Sequence, residues 1–147
     1  MNRLCIAIVG LILAAADPAL GQTAAGRIKT VSGAAFVVRQ GVEQAAVAGQ
    51  PVFEADGLKT GADGRLAITL KDETRLSLGP NSDVRLEKFV YAPGESQLGF
   101  TLRIARGLLA YVSGRIAKLS PDSVRLETPT AIIGVRGTRL AIQVDQP

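Results

Sequence analysis

Histidine and tryptophan are absent from this 147-residue sequence, and its single cysteine, Cys5, falls in an apolar run near the N-terminus. Beyond that run there is no thiol or imidazole to form a disulfide, a zinc site of the usual ligands, or a Ser-His or Cys-His nucleophilic pair. Aromatic residues make up only 4% of the chain, against 47% hydrophobic residues overall, so the core has to be aliphatic and drawn from Val, Ile, Leu and Ala. Long apolar runs are lacking too. The longest, Leu4 to Ala16, falls short of the roughly 20 residues needed to cross a bilayer.

That run follows the short positive region Met1-Asn-Arg3 and leads into small residues, the pattern of a secretory signal peptide over residues 1–21. Cleavage after Gly21 (Ala19-Leu-Gly) is preferred; cleavage after Ala16 (Ala14-Ala-Ala) also satisfies the small-residue rule. Cys5 stands at the start of the run, whereas a lipidated cysteine would stand at its far end beside the cut. Residues 22–147 then form one domain, periplasmic or secreted, with no stable membrane span once the leader is removed.

Removing residues 1–21 takes away Arg3 and Asp17, so the basic count falls from 17 to 16, the acidic count from 13 to 12, and the net charge stays at +4. A balance this mild fits an anionic envelope partner such as lipopolysaccharide or peptidoglycan, and is far from the clustered charge of a nucleic-acid binder.

From Gly26 onward the chain alternates apolar and polar residues in short stretches, separated by turn signals such as Gln40-Gly41, Asp56-Gly57, Asp63-Gly64 and Gly79-Pro-Asn-Ser82. Beyond Gly64, Arg-Leu or Arg-Ile recurs at Arg65, Arg75, Arg85, Arg103, Arg115, Arg125 and Arg139, the first three ten residues apart. Short strands at this interval predict an all-β single domain, either a β-solenoid-like stack or a rolled sheet or sandwich. Period-2 alternation sets the arginines opposite their apolar neighbours, and Asp72, Glu73, Asp83, Glu87 and Glu127 are expected to interleave with them as cross-strand ion pairs. Without such pairing, the arginines would form a basic face for an anionic glycan. The polar stretch Val90 to Gln97 reads as the most exposed loop, with Tyr91 as its one large recognition residue.

The most unusual stretch runs from Glu127 to Thr138. Pro129 pushes Thr128 toward extended geometry, so Ala131-Ile132-Ile133 enters as a strand, and Gly134 and Gly137 bracket Val135-Arg136. Two glycines there suggest positive φ or close backbone approach, aiming the Arg136 guanidinium either as a structural clamp on a carboxylate or strand-end carbonyls, or as an anion or peptide-carboxylate site. Candidate site residues are Thr128, Pro129, Gly134, Arg136, Gly137 and Thr138.

Residues 128–138, together with Leu58-Lys-Thr-Gly-Ala-Asp-Gly-Arg-Leu66 and Asp72-Glu-Thr-Arg-Leu-Ser-Leu-Gly-Pro-Asn-Ser82, resemble the signature of the FecR domain of bacterial envelope proteins. The best known members are the periplasmic half of an iron-siderophore signalling regulator, joined by a membrane helix to a cytoplasmic anti-sigma segment. Others carry only a signal peptide and the domain. This sequence has neither a second apolar segment nor an anti-sigma stretch, so the resemblance implies a non-catalytic domain for protein–protein interaction or envelope sensing. It implies no cofactor and no metal.

FecR domains usually continue through further strands after Arg-Gly-Thr, whereas here Leu140 to Val144 makes one more strand and the chain stops at Pro147. Either the form ends early, or its last strand is an open edge that pairs with another envelope protein or a second copy of itself. An enzyme would have to work through Asp63, Asp72, Asp83 or Glu127, and no spacing in the sequence pairs them.

Overall fold

The computed structural model describes residues 23–136 and 139–145. The expected leader, together with Gly137 and Thr138 of the motif, lies outside the described residues.

Alternation does what the sequence requires of it. In the strand Arg65–Leu70, the residues Leu66, Ile68 and Leu70 are buried while Arg65 is exposed, and Arg75–Leu78 repeats the pattern. Numbered in chain order, the strands are β1 (Gly26–Ser32), β2 (Ala35–Arg39), β3 (Val42–Ala45), β4 (Pro51–Val52), β5 (Gly57–Thr60), β6 (Arg65–Leu70), β7 (Arg75–Leu78), β8 (Asp83–Ala92), β9 (Gln97–Val112), β10 (Val124–Glu127), β11 (Ile132–Gly134) and β12 (Arg139–Val144), with one short helix, α1 (Arg115–Leu119). They join into a 12-stranded sheet. Of the expected architectures, the rolled sheet is the one formed, because every pairing is antiparallel except β9 with β10.

The roll comes from a fold line that crosses the sheet. β1 passes into β2, β5 into β6 and β7 into β8 across short turns, while β9 runs unbroken through the same line at Gly107. One leaf therefore has the order β4-β1-β6-β7-β9-β12 and the other β3-β2-β5-β8-β9-β10-β11, with β9 contributing its second half to the first leaf and its first half to the second. Between the leaves lies an aliphatic core that includes Ile28, Leu66, Ile68, Leu76 and Leu109 from the first leaf and Val37, Leu58, Leu86, Leu102 and Ile104 from the second. Phe100 is fully buried in it, 6.4 Å from Phe89 and 6.1 Å from Tyr111 between ring centroids.

A continuous seam of hydrogen bonds holds the fold line. Gly61 N–H donates to Ala34 O (2.8 Å), and Asn81 N–H donates to Gly61 O (3.0 Å). The Thr60 hydroxyl donates to Gly79 O (2.6 Å) and accepts Ser82 N–H (2.9 Å). Ser82 Oγ donates to Gly79 O (2.8 Å) and accepts Leu108 N–H (3.1 Å), which ties the turn to β9. Gly107 has φ +99°, and a Cβ there would stand 2.3 Å from Ser82 Oγ and 2.4 Å from Ser82 Cα. Only glycine lets β9 cross so close to that turn.

Three local expectations are corrected. Only the middle of the stretch Val90–Gln97 is an exposed turn, around Pro93–Glu95, because β8 and β9 stay paired out to Ala92 and Gln97. Arg115-Ile116 opens α1 rather than a strand, since buried Asp72 reaches across to take Ile116 N–H (3.2 Å) and Asp72 O takes Arg115 N–H (2.7 Å). The ten-residue arginine rhythm does not line one face, because the Gly79–Ser82 turn carries Arg85 to the second leaf while Arg65 and Arg75 stay on the first.

Burial pushes the Tyr111 hydroxyl above the ordinary tyrosine range, opposed by a bond with Ser113 and reinforced by the charge of Asp72. A raised folded-state pKa gives stability that is fully present below the unfolded value and is lost as pH rises through the folded one. Thermal melts should therefore show a stability decline above about pH 10 that is shallower in Tyr111→Phe. Equal declines in both proteins would remove Tyr111 as the cause.

Candidate functional site

The described part of the motif, residues 127–136, leads from the second leaf back toward the first. β10 lies parallel to β9 and turns into β11 through Thr128–Ala131, where Thr128 N–H donates to Ala131 O (2.8 Å) and Ala131 N–H donates to Thr128 Oγ1 (3.1 Å). Pro129 sits inside this turn, where its fixed φ suits the corner and no N–H is missed. Ile132 is 68% exposed, and Val135 at 2% exposure anchors the chain to the core before β12.

Gly134 has no positive φ and has open space around it, so the close approach expected there is not what its position shows. Arg136 is exposed and has no ion pair or hydrogen bond among the described residues. Thr128 and Pro129 line an open cleft of about 440 Å³ with Arg103, Glu127 and Ile132. Gly134 and Arg136 line a second cleft, of about 530 Å³, with Asp122, Arg125, Ile132 and Val135. The motif thus presents exposed Ile132 on the rim shared by two open clefts of mixed lining.

The guanidinium clamp that the fold does contain was not visible in the sequence. Arg39 on β2 donates from Nε to Asp56 Oδ1 (2.9 Å) and from Nη2 to Asp56 Oδ2 (2.7 Å), while Phe53 N–H donates to Asp56 Oδ2 (2.9 Å). The Arg39 guanidinium also lies 4.6 Å from the centroid of the Phe53 ring. Hydrogen bonding to Asp56 raises the Arg39 pKa, with desolvation opposing and the opposite charge adding to the rise. The Asp-Gly pair had signalled only a turn. The partners' separation of 17 positions gave no cue to the pairing.

The candidate catalytic carboxylates are spread over separate places. Asp63 Oδ1 accepts Ala34 N–H (3.3 Å) at the fold line, and Asp72 is fully buried in the β6–β7 turn. Asp83 is in register with Arg106 across β8 and β9. Glu127 pairs with Arg103 at 3.5 Å on the second leaf, and the ion pairs continue from Arg103 to Glu87 and from Glu87 to Arg85, both at 3.7 Å. The expected interleaving of arginines and acids is thus present on this leaf, with each exposed pair worth a fraction of a kcal/mol.

The family described as FecR protein matches residues 56–147. The chain belongs to the FecR family. No curated protein and no solved structure matches it. The FecR match starts at the clamp residue Asp56 and covers β5 to β12, leaving β1 to β4 outside. Of the FecR-like sequence segments, Leu58–Leu66 and the end of Asp72–Ser82 build the seam, and the described part of the segment 128–138 leads from the second leaf back toward the first. The FecR domain is known for envelope signal transduction.

Proposed function

We propose that this FecR-family chain is a non-catalytic binding domain of the bacterial periplasm, exported by its leader, which captures another envelope protein by strand addition at β12. One observation carries the reading. β12 pairs with β9 along Arg139–Val144 and, among the described residues, has no strand on its other side. Such an edge offers a row of backbone donors and acceptors to a second extended chain. Its side chains sort cleanly: Ile142 is buried, Leu140 and Val144 are half-buried, and Arg139, Ala141 and Gln143 are exposed.

A second feature at the same edge adds support. The end of β12 borders an open cleft of about 610 Å³ shared with Pro80, Asn81, Arg106 and Gly107. Arg106 Nε is buried and has no hydrogen-bond partner among the described residues. On the cleft wall, the Asn81 amide and the other N–H groups of the Arg106 fork are the donors that the carbonyls of an arriving chain would meet.

A photo-crosslinker at exposed Gln143 should give an adduct of one defined mass, whose yield hardly changes with ionic strength because backbone pairing is not an ionic contact. The same group at Glu43, on the four-residue edge strand β3, should give much less. Equal yields at the two edges, or no adduct at Gln143, would overturn the proposal.

A further inference from the structure

The two leaves carry charge differently. On the second leaf, Arg85, Glu87, Arg103 and Glu127 neutralise one another. The strands of the first leaf, counting only the second half of β9, contain Arg27, Lys29, Arg65, Arg75 and Arg139 and not one Asp or Glu. All five cations are exposed, and none enters an ion pair among the described residues. The nearest acids lie off this face. Asp63 is taken by Ala34 N–H, Glu73 by Arg115 (3.3 Å) and Asp145 by Gln143 Nε2 (3.0 Å).

The register puts three of the arginines in a single line. Arg27 stands opposite Thr69, Thr69 opposite Arg75, Arg75 opposite Val112, and Val112 opposite Arg139. Cross-strand partners share a face, so the guanidinium-bearing positions recur on every second strand, about 10 Å apart. The next row along the strands is Thr30, Ala67, Ser77, Ala110 and Ala141, none of them large, so nothing blocks a chain lying across the strands beside the arginines. Arg65 and Leu108 bound the far side of this row, around a shallow cleft of about 300 Å³.

We infer that the outer face of the first leaf binds an extended acidic polysaccharide with one carboxylate per disaccharide. Two strand spacings correspond to two β-linked hexoses laid end to end, so each arginine would meet one carboxylate of such a chain, bidentately where the fork allows. A polymer with a carboxylate on every sugar would leave half of its charges unmatched. Aromatic stacking platforms are missing from this face, so the attraction is chiefly electrostatic and falls with salt.

The inference concerns the face of the leaf and not its edge, so its failure would leave the Gln143 cross-linking result where it stands. The test uses the mature chain, with hyaluronan as the probe, polygalacturonate and neutral dextran as comparison polymers, and phosphatidylglycerol vesicles as a separate arm. Hyaluronan should bind at low salt, lose about tenfold in affinity on reaching physiological ionic strength, and bind more tightly than either polygalacturonate or dextran. The variant Arg27→Gln/Arg75→Gln/Arg139→Gln should lose about tenfold or more, while Arg85→Gln/Arg103→Gln on the second leaf should bind as the parent does. If the triple variant fails to fold, Arg75→Gln alone, at the exposed centre of the row, should still lose severalfold. Equal loss from the second-leaf variant, equal binding of dextran or polygalacturonate, or binding to vesicles without binding to hyaluronan would each overturn the inference.

Discussion

Gly107→Ala is expected to destabilise the fold by at least about 3 kcal/mol. Two costs coincide at that position. The backbone sits at φ +99°, a region that an L-residue occupies only under strain, and the new Cβ would press on Ser82 Oγ, Cα and Cβ at 2.3, 2.4 and 2.6 Å. Neither side can yield easily, because Ser82 is fully buried and its hydroxyl and backbone are part of the seam that joins β7, β8 and β9. Gly41→Ala is the control that separates the two costs. Gly41 has φ +76° with nothing within 4 Å of an added Cβ, so it should report backbone strain alone, about 1 kcal/mol. Denaturant melts of the two variants would decide the matter, and comparable losses would mean that the crowding at Ser82 is relieved at little cost.

Asp72→Ala should cost about 3 kcal/mol, since it strands several buried donors at once. The carboxylate accepts Thr74 N–H (3.1 Å), the Thr74 hydroxyl (2.7 Å) and Ile116 N–H (3.2 Å), and the residue is 0% exposed. It is the tie between the β6–β7 turn and α1, a helix of 5 residues that is too short to be stable through its own hydrogen bonds. Asp72→Asn keeps one acceptor oxygen and should recover part of the loss. Asp63→Ala, which removes one long bond from an exposed carboxylate, should stay within about 0.5 kcal/mol. A cost at Asp72 no greater than at Asp63 would show that α1 is held by Ile116 and Ala117 packing alone.

Strand positions were legible in the sequence because a period of two is a local property: Leu66, Ile68 and Leu70 declare their face without reference to any other strand. The fold line was legible only as punctuation. Asp63-Gly64 and Gly79-Pro80-Asn81 both announced turns, but period-2 alternation cannot say whether a chain leaving a turn doubles back on its own leaf or continues onto the other. The arginine rhythm looked like one face for the same reason, and split in two. α1 was hidden because its cap, Asp72, comes from 44 residues away. At the candidate site, the strand after Pro129 was readable, though it begins at Ile132 rather than Ala131, while the Thr128–Ala131 turn before it was not. The clamp expected at Arg136 was not, because whether an arginine finds a carboxylate depends on which loops the fold brings near, and that role went to Arg39 and Asp56.

The shared strand also dictates an order of assembly. β8 and β9 are neighbours in sequence, joined by one tight turn, and their register runs from Ala92 opposite Gln97 back to Asp83 opposite Arg106. This hairpin can close at little entropic cost, whereas β1 with β6, β2 with β5 and β12 with β9 must each bridge longer intervening chain. The β8–β9 ribbon is therefore the template on which the remaining strands accumulate. In hydrogen-exchange experiments its amides should be the slowest to yield, with β3 and β11, each held from one side only, exchanging early.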